Sequence, residues 1–322
     1  MGNLSHFLFL AASAGRVFAS CAYGTHLMPR AEEGEVPVAT FGYVGVTGPL
    51  NWAALDSPAN NVCATGTRQS PIDMVDNVFE LVDASALSIK VNDMPDGADF
   101  ENLGSTVEVI TQGGTLSFDD KTFELQQFHF HLPSEHLDNG TSQAMEMHMV
   151  WQSAEGEIAV IGAYINIATG EVASASVKRG LNTRSRLFQR QAEANETAPA
   201  AGTGAPTVLL ETIFSVVDQI STPGTKVKTP PLVMSEVVDL LKAGQFQAYS
   251  GSLTTPPCSE GVNWRVSTSK LSISPASFIK ARDVIGFNSR FPQNTPGQPN
   301  ILMISALGSA AAAVSVASSG AA

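Results

Sequence analysis

Two stretches of this chain alternate polar and apolar residues with a period of two, and both carry histidine on the polar side. They are Gln127-Phe128-His129-Phe130-His131 and Met145-Glu146-Met147-His148-Met149-Val150. Side chains of a strand point to opposite faces in turn, so His129 and His131 share one face while Phe128 and Phe130 take the other. The same rule puts Glu146, His148 and Val150 together. If the Leu132 to Gln143 connection lets the two strands pair, His148 closes a cone of three imidazoles with one open vertex. That donor set suits a catalytic zinc, whereas a structural zinc is closed by a fourth side chain, often cysteine. Each ligating ring needs an acceptor for its other nitrogen. Gln127, two residues before His129, and Glu146, two before His148, can supply it.

A single His-x-His strand is most often an ordinary hydrogen-bonded polar face. Here the pattern is joint: the chain has 6 histidines, and His129, His131, His136 and His148 fall close together. A second metal fold fits part of the set. His129, His131, Glu135 and His148 resemble the ligands of cupins, in which Glu135 would coordinate manganese or iron. Against it, Phe123 stands where the cupin pattern has glycine, and Met145 to Gln152 lack the residues that flank its last histidine.

With 322 residues, 43% hydrophobic and 15% charged, the chain can bury a substantial core. Its 30 acidic and 18 basic residues leave a net charge of -12, which gives a nucleic-acid backbone or an anionic lipid surface little to grip. No interior run reaches the ~20 apolar residues of a membrane span. The body reads as one domain, mainly β with short helices. Strand patterns occur at 105–110, 122–131, 144–151, 158–167 and 262–267, and helical ones at 174–194, 208–219 and 274–284. The last helix opens with Ser274 as N-cap and Pro275 at the first helical position.

The ends suggest export. Residues 1–22 hold an apolar stretch, Phe7 to Ala12, followed by small residues, as in a secretory signal cut near Ala19 or Ala22, though Arg16 interrupts it. A cut after Ala22 removes Cys21 and leaves an even pair, Cys63 and Cys258, whose bridge would stabilise by about 4 to 5 kcal/mol through loop closure. A cut after Ala19 leaves Cys21 as an odd thiol. Asn139-Gly140-Thr141 and Asn195-Glu196-Thr197 are glycan acceptor triplets in a secreted or cell-surface protein. Residues 178–206 look like a polar surface insertion, and 305–322 form a low-complexity Ala/Ser/Gly tail whose end is too polar for a lipid-anchor signal.

Three blocks then occur in order: Arg68-Gln69-Ser70-Pro71-Ile72, Gln127 to His131 continuing through Pro133-Ser134-Glu135-His136 to Glu146-x-His148, and Tyr249-x-Gly251-Ser252-Leu253-Thr254-Thr255-Pro256-Pro257-Cys258. Together, over approximately residues 40–300, they resemble the α-class carbonic anhydrases. The resemblance implies a single domain on a large, mostly antiparallel twisted sheet. It implies zinc held by His129, His131 and His148, and reversible hydration of carbon dioxide to bicarbonate and a proton. Thr254 would orient the zinc-bound hydroxide, with Glu135 as its acceptor. An ionised Glu can only accept, so it takes the Thr254 proton and leaves the Thr254 oxygen to accept in turn. Val150, Val160, Leu253 and Trp264 match the family's apolar substrate pocket, although each would also serve as an ordinary core residue. Thr255 falls on the hydrophilic side. Cys63 and Cys258 match positions bridged in extracellular members.

One departure stands out. Where many members carry a proton-shuttling histidine, Asn102-Leu103-Gly104 is followed by Ser105, whose hydroxyl does not titrate near neutrality. Proton loss from an acid of pKa ~7 to bulk water is limited to about 10^3 per second, so the maximal rate is expected to depend on buffer. His26 is a remote substitute, and His136 reads as a structural hydrogen-bonding residue. A non-enzymatic relative would have lost a ligand, and all three are present. The implied partner is the small-molecule substrate alone, and oligomeric state is not legible.

Overall fold

The computed structural model describes residues 22–25, 27, 35–111, 113–169 and 205–305. The expected helix at 174–194 and the triplet at Asn195 lie outside them, as do Cys21 and His26. So do the signal apart from Ala22, the insertion apart from 205–206, and the tail apart from Ser305.

Seven strands position the site: β1 (Asp99–Asn102), β2 (Val107–Ile110), β3 (Lys121–His131), β4 (Met145–Ser153), β5 (Ile158–Ile167), β6 (Gln245–Ser252) and β7 (Glu260–Ser267). They belong to a sheet of 12 strands among the described residues and run side by side in the order β1-β2-β3-β4-β5-β7-β6. Neighbours are antiparallel except β5, which is parallel to β7 and to Leu271–Ile273. The sheet is therefore mixed, and mostly antiparallel as expected.

Strict alternation fails at one point in β3. Trp151 of β4 pairs with Leu125, and Val150 pairs with Gln127, so Gln126 is an extra residue in the ladder. This bulge turns the polar set Gln127, His129 and His131 to the front while Phe123, Leu125, Phe128 and Phe130 all reach the rear core. Without it, Leu125 and the histidines would share a face.

Behind the sheet, Phe128, Phe130, Met147, Met149, Trp151 and Ile161 pack against helices α1 (Val208–Phe214), α2 (Ser235–Lys242) and α3 (Pro275–Ile285). Leu210, Phe214, Val237 and Leu241 face this core, and the Phe130 and Phe214 rings lie 4.9 Å apart. The strong rear packing is what holds β3 and β4 in register for the front. Ser274 caps α3 as expected, its hydroxyl accepting from Ser277 N at 3.2 Å. The helix expected over 208–219 ends early, at Phe214, and resumes as a 3-10 turn over Val217–Ile220. The Ser215 hydroxyl donates back to Thr212 O at 2.7 Å, and β-branched Val216 and Val217 follow, which together favour leaving the α-helix. The sequence patterns missed α2, β1 and β6.

A smaller apolar cluster of Phe41, Tyr43 and Trp52 surrounds a disulfide between Cys63 and Cys258, 195 residues apart. Among the described residues no helix is long and apolar enough to cross a membrane.

Candidate metal centre

His129 and His148 are direct register partners across β3 and β4, and Glu146 is the partner of His131. All three imidazoles are buried, with ring centroids 4.6 to 5.4 Å apart. One nitrogen from each lies within 4.8 Å of the others.

The remaining nitrogens decide which atom each ring presents. His129 Nδ1 lies 2.9 Å from Gln127 Oε1, and His131 Nδ1 donates to the Asn288 carbonyl at 2.9 Å. His148 uses the opposite nitrogen: Nε2 is 2.9 Å from Glu146 Oε1. A carbonyl, an amide oxygen and an ionised carboxylate only accept, so each contacted nitrogen carries the proton. The nitrogens turned inward are His129 Nε2, His131 Nε2 and His148 Nδ1, and the last two have no hydrogen-bond partner among the described residues. Burial and mutual repulsion lower the pKa of all three rings, His131 to about 3, so they are neutral at pH 7, as ligands must be.

Glu146 anchors this arrangement. Burial alone would raise its pKa, but His136 and His148 hold it well below the carboxylate range. Its Oε2 accepts from the backbone of Glu135 and His136 at 2.9 and 2.8 Å, and its Oε1 from His136 Nδ1 at 2.7 Å. The chain of donors continues outward. His136 Nε2 faces Tyr249 OH at 2.7 Å, which faces Ser70 Oγ at 2.8 Å. Ser70 Oγ in turn accepts from Ser252 N. His136 Nδ1 donates to Glu146, and its Nε2, Tyr249 OH and Ser70 Oγ carry the hydrogen-bond chain outward. His136, Glu146 and His148 also form a compact group of donor atoms, but these are consumed by one another. Space for the carboxylate is reserved at Gly162, where a Cβ would come within 2.9 Å of Glu146 Oε1.

Glu135 stands on the other side. Its Oε1 accepts from Arg290 N at 2.9 Å, and its Oε2 lies 3.4 Å from His131 Nε2 and 3.9 Å from His148 Nδ1. Burial pushes its pKa well up, while the Arg290 amide and Thr254 pull it down. Oε2 nevertheless accepts no hydrogen bond of ordinary geometry from the described residues, and neither do His131 Nε2 and His148 Nδ1. His131 Nε2 and His148 Nδ1 thus face one point together with His129 Nε2, and neither of the first two finds a donor among the described residues. A cation there satisfies the inward nitrogens, and three neutral imidazoles suit zinc.

Val150, Val160 and Trp264 form a transverse row on the same face, as successive partners on β4, β5 and β7, and Leu253 joins their apolar cluster. Trp264 packs edge-on against His148, centroids 4.8 Å apart, and donates from Nε1 to Ser252 O. Thr254 and Thr255 are fully buried beside Cys258, whose N–H donates to Thr255 O. Ser105 is buried in the turn between β1 and β2. Its carbonyl accepts from Asn288 Nδ2, so it touches the residue that holds His131.

Residues 47–296 match the eukaryotic-type carbonic anhydrase family. The chain belongs to the α-carbonic anhydrase family. It is 33% identical to a carbonic anhydrase of Nostoc sp. over 80% of this chain and 82% of that one. A Neisseria gonorrhoeae carbonic anhydrase is 30% identical over 92% and 93% of the two chains. Among solved structures, the fungal α-carbonic anhydrase of Aspergillus oryzae superposes with a TM-score of 0.70 at 33% identity, covering 83% of this chain and 98% of that one. The cupin alternative therefore falls: this α-carbonic anhydrase sheet is an open mixed one, with Glu135 bonded to Arg290 N.

Sequence reasoning missed two contributors. Asn288 holds His131 through its carbonyl and spans Leu132 N, Ser105 O and Phe130 O with its side chain. Arg290, fully buried, donates to Ser70 O, Cys63 O and Gln69 Oε1 while its backbone holds Glu135. Both follow α3, far from the histidines in sequence, and no local pattern marks them.

Proposed function

We propose that this α-carbonic anhydrase is a zinc enzyme that reversibly hydrates carbon dioxide to bicarbonate and a proton. The observation that carries the reading is the convergence of three inward-facing imidazole nitrogens within 4.8 Å of one another, each ring fixed by a separate acceptor behind it. Zinc held there supplies a Lewis acid that makes water acidic enough to give hydroxide near neutral pH, the property for which carbonic anhydrase itself is the reference case.

The chain's own residues supply the rest. Gln127, the Asn288 carbonyl and Glu146 fix the ring orientations. Glu135, gripped by Arg290 N, accepts a hydrogen bond from the Thr254 hydroxyl, so the Thr254 oxygen faces the pocket as an acceptor and selects one orientation of an attacking O–H group. Val150, Val160, Leu253 and Trp264 offer an apolar wall to an apolar substrate, and Thr255 offers a hydroxyl to the charged product. Ser105 provides no titrating group for proton export. Metal analysis tests the ligand set: one zinc per chain in the native protein and none in His129→Ala supports it, and full zinc retention in His129→Ala contradicts it.

The same reading extends to location. Export after signal removal suits the Cys63–Cys258 bridge and the acceptor triplet at Asn139, which is exposed on a turn with its Oδ1 held by Asp76 N at 2.9 Å. A mass shift removed by a glycosidase from secreted protein supports this, and unmodified intracellular protein contradicts it.

A further inference from the structure

One segment lies on the catalytic face without belonging to the site. Ala22 is fully buried, in the same apolar cluster as Val150, Val160, Leu253 and Trp264. Its neighbours Tyr23 and Thr25 are 3% and 2% exposed. Leu27 lines a small cleft with Ile158 and Val262, at the ends of β5 and β7. On the opposite flank, Lys226 is held charged first by its hydrogen bond to Asp99, and it also feels Tyr23. Lys226 belongs to the strand that pairs with β1. In sheet order β3 and β4, which carry the three imidazoles, lie between these two flanks. Ala22 is thus seated in the apolar cluster beside the metal centre, with Tyr23 and Thr25 buried next to it.

Its chemistry suits that place. Ala22, Tyr23, Gly24 and Thr25 carry no charge. The Ala22 carbonyl, which would be costly to bury alone, accepts from both Thr25 N at 3.0 Å and Thr25 Oγ1 at 2.6 Å. Gly24 makes the turn possible with φ +85, a conformation that a β-branched residue resists.

We propose that residues 22–25 form an internal plug that closes the carbon dioxide pocket of the full chain. Removal of the N-terminal segment then opens the enzyme. Cleavage after Ala22, one of the two expected processing points, falls inside the plug. It removes the residue seated on the apolar wall and leaves a charged amine on Tyr23, which that wall disfavours. Export and activation become one event. The proposal rests on the reading of this pocket as the substrate site.

The test compares three zinc-loaded proteins: the full chain, a chain lacking residues 1–25, and full-length Gly24→Val. A plug closed nine times in ten leaves a tenth of the sites open, so kcat/KM for hydration is expected to rise about tenfold in both variants. The rate of zinc uptake by metal-stripped protein is expected to rise by a similar factor, a readout that needs no catalysis. Equal kcat/KM and equal uptake in all three overturn the plug. If the shortened chain does not fold, Gly24→Val decides on the same criteria. Absence of hydration from every form contradicts the substrate reading instead, and the uptake rates still judge the plug.

Discussion

His129 and His148 face each other directly across β3 and β4, yet they present different ring nitrogens to the centre, Nε2 from the first and Nδ1 from the second. The difference arises because Gln127 takes the Nδ1 side of His129 while Glu146 takes the Nε2 side of His148. The acceptors, more than the strand geometry, set the tautomers.

Glu146→Gln therefore has a defined outcome. A carboxylate accepting four hydrogen bonds is replaced by an amide with one accepting oxygen and one donating nitrogen. The variant folds less stably and binds zinc about 10- to 100-fold more weakly, as read by chelator competition. Unchanged zinc affinity contradicts the role given to Glu146.

Thr254→Ala separates orientation from metal binding. It keeps one zinc per chain and lowers kcat/KM for hydration by about 100-fold, the usual scale for losing one preorganised polar contact. Equal hydration by the variant and the native protein contradicts the Thr254–Glu135 pair.

How much of this was visible in the amino-acid order depends on distance along the chain. Gln127, His129 and His131 are neighbours on one strand, so their alternation exposed two of the converging imidazoles and one orienting acceptor. The bulge at Gln126 was harder to read, because two consecutive glutamines mask which residue is extra. Asn288 and Arg290 were not legible at all. Their contacts, a backbone carbonyl to His131 and a backbone amide to Glu135, depend on where the chain returns after α3 and not on side-chain type. Parallel pairing of β5 with β7 likewise depends on a long crossover between them.

Acid stability of the metal-free chain follows from the ring pKa values. The folded-state values of His129, His131 and His148 are depressed, so their contribution is complete above about pH 6.5 and is lost as the pH falls and the unfolded chain takes up protons. Glu146, also depressed, adds a loss of the same sign below about pH 4.5. Glu135 is raised and acts oppositely, gaining stability as the pH falls through its folded pKa. The three rings outweigh Glu135, so stability is expected to fall as the pH drops below about 6.5. Urea unfolding of stripped protein is expected at a clearly lower midpoint at pH 5.5 than at pH 7.5. Equal midpoints contradict the burial of neutral imidazoles.

Ser105 makes the maximal rate sensitive to buffer. With no imidazole at that position, adding a mobile buffer such as imidazole raises kcat severalfold without changing kcat/KM, and Ser105→His reproduces part of the gain at low buffer. A saturated rate that responds to neither change contradicts the absence of an internal shuttle.

The central claim is most directly tested by stopped-flow carbon dioxide hydration on chains lacking residues 1–25, before and after metal removal and again after zinc is restored. The account predicts hydration that disappears with the metal and returns with one equivalent of zinc. Metal-free protein that hydrates carbon dioxide as fast as the zinc-loaded form would contradict it.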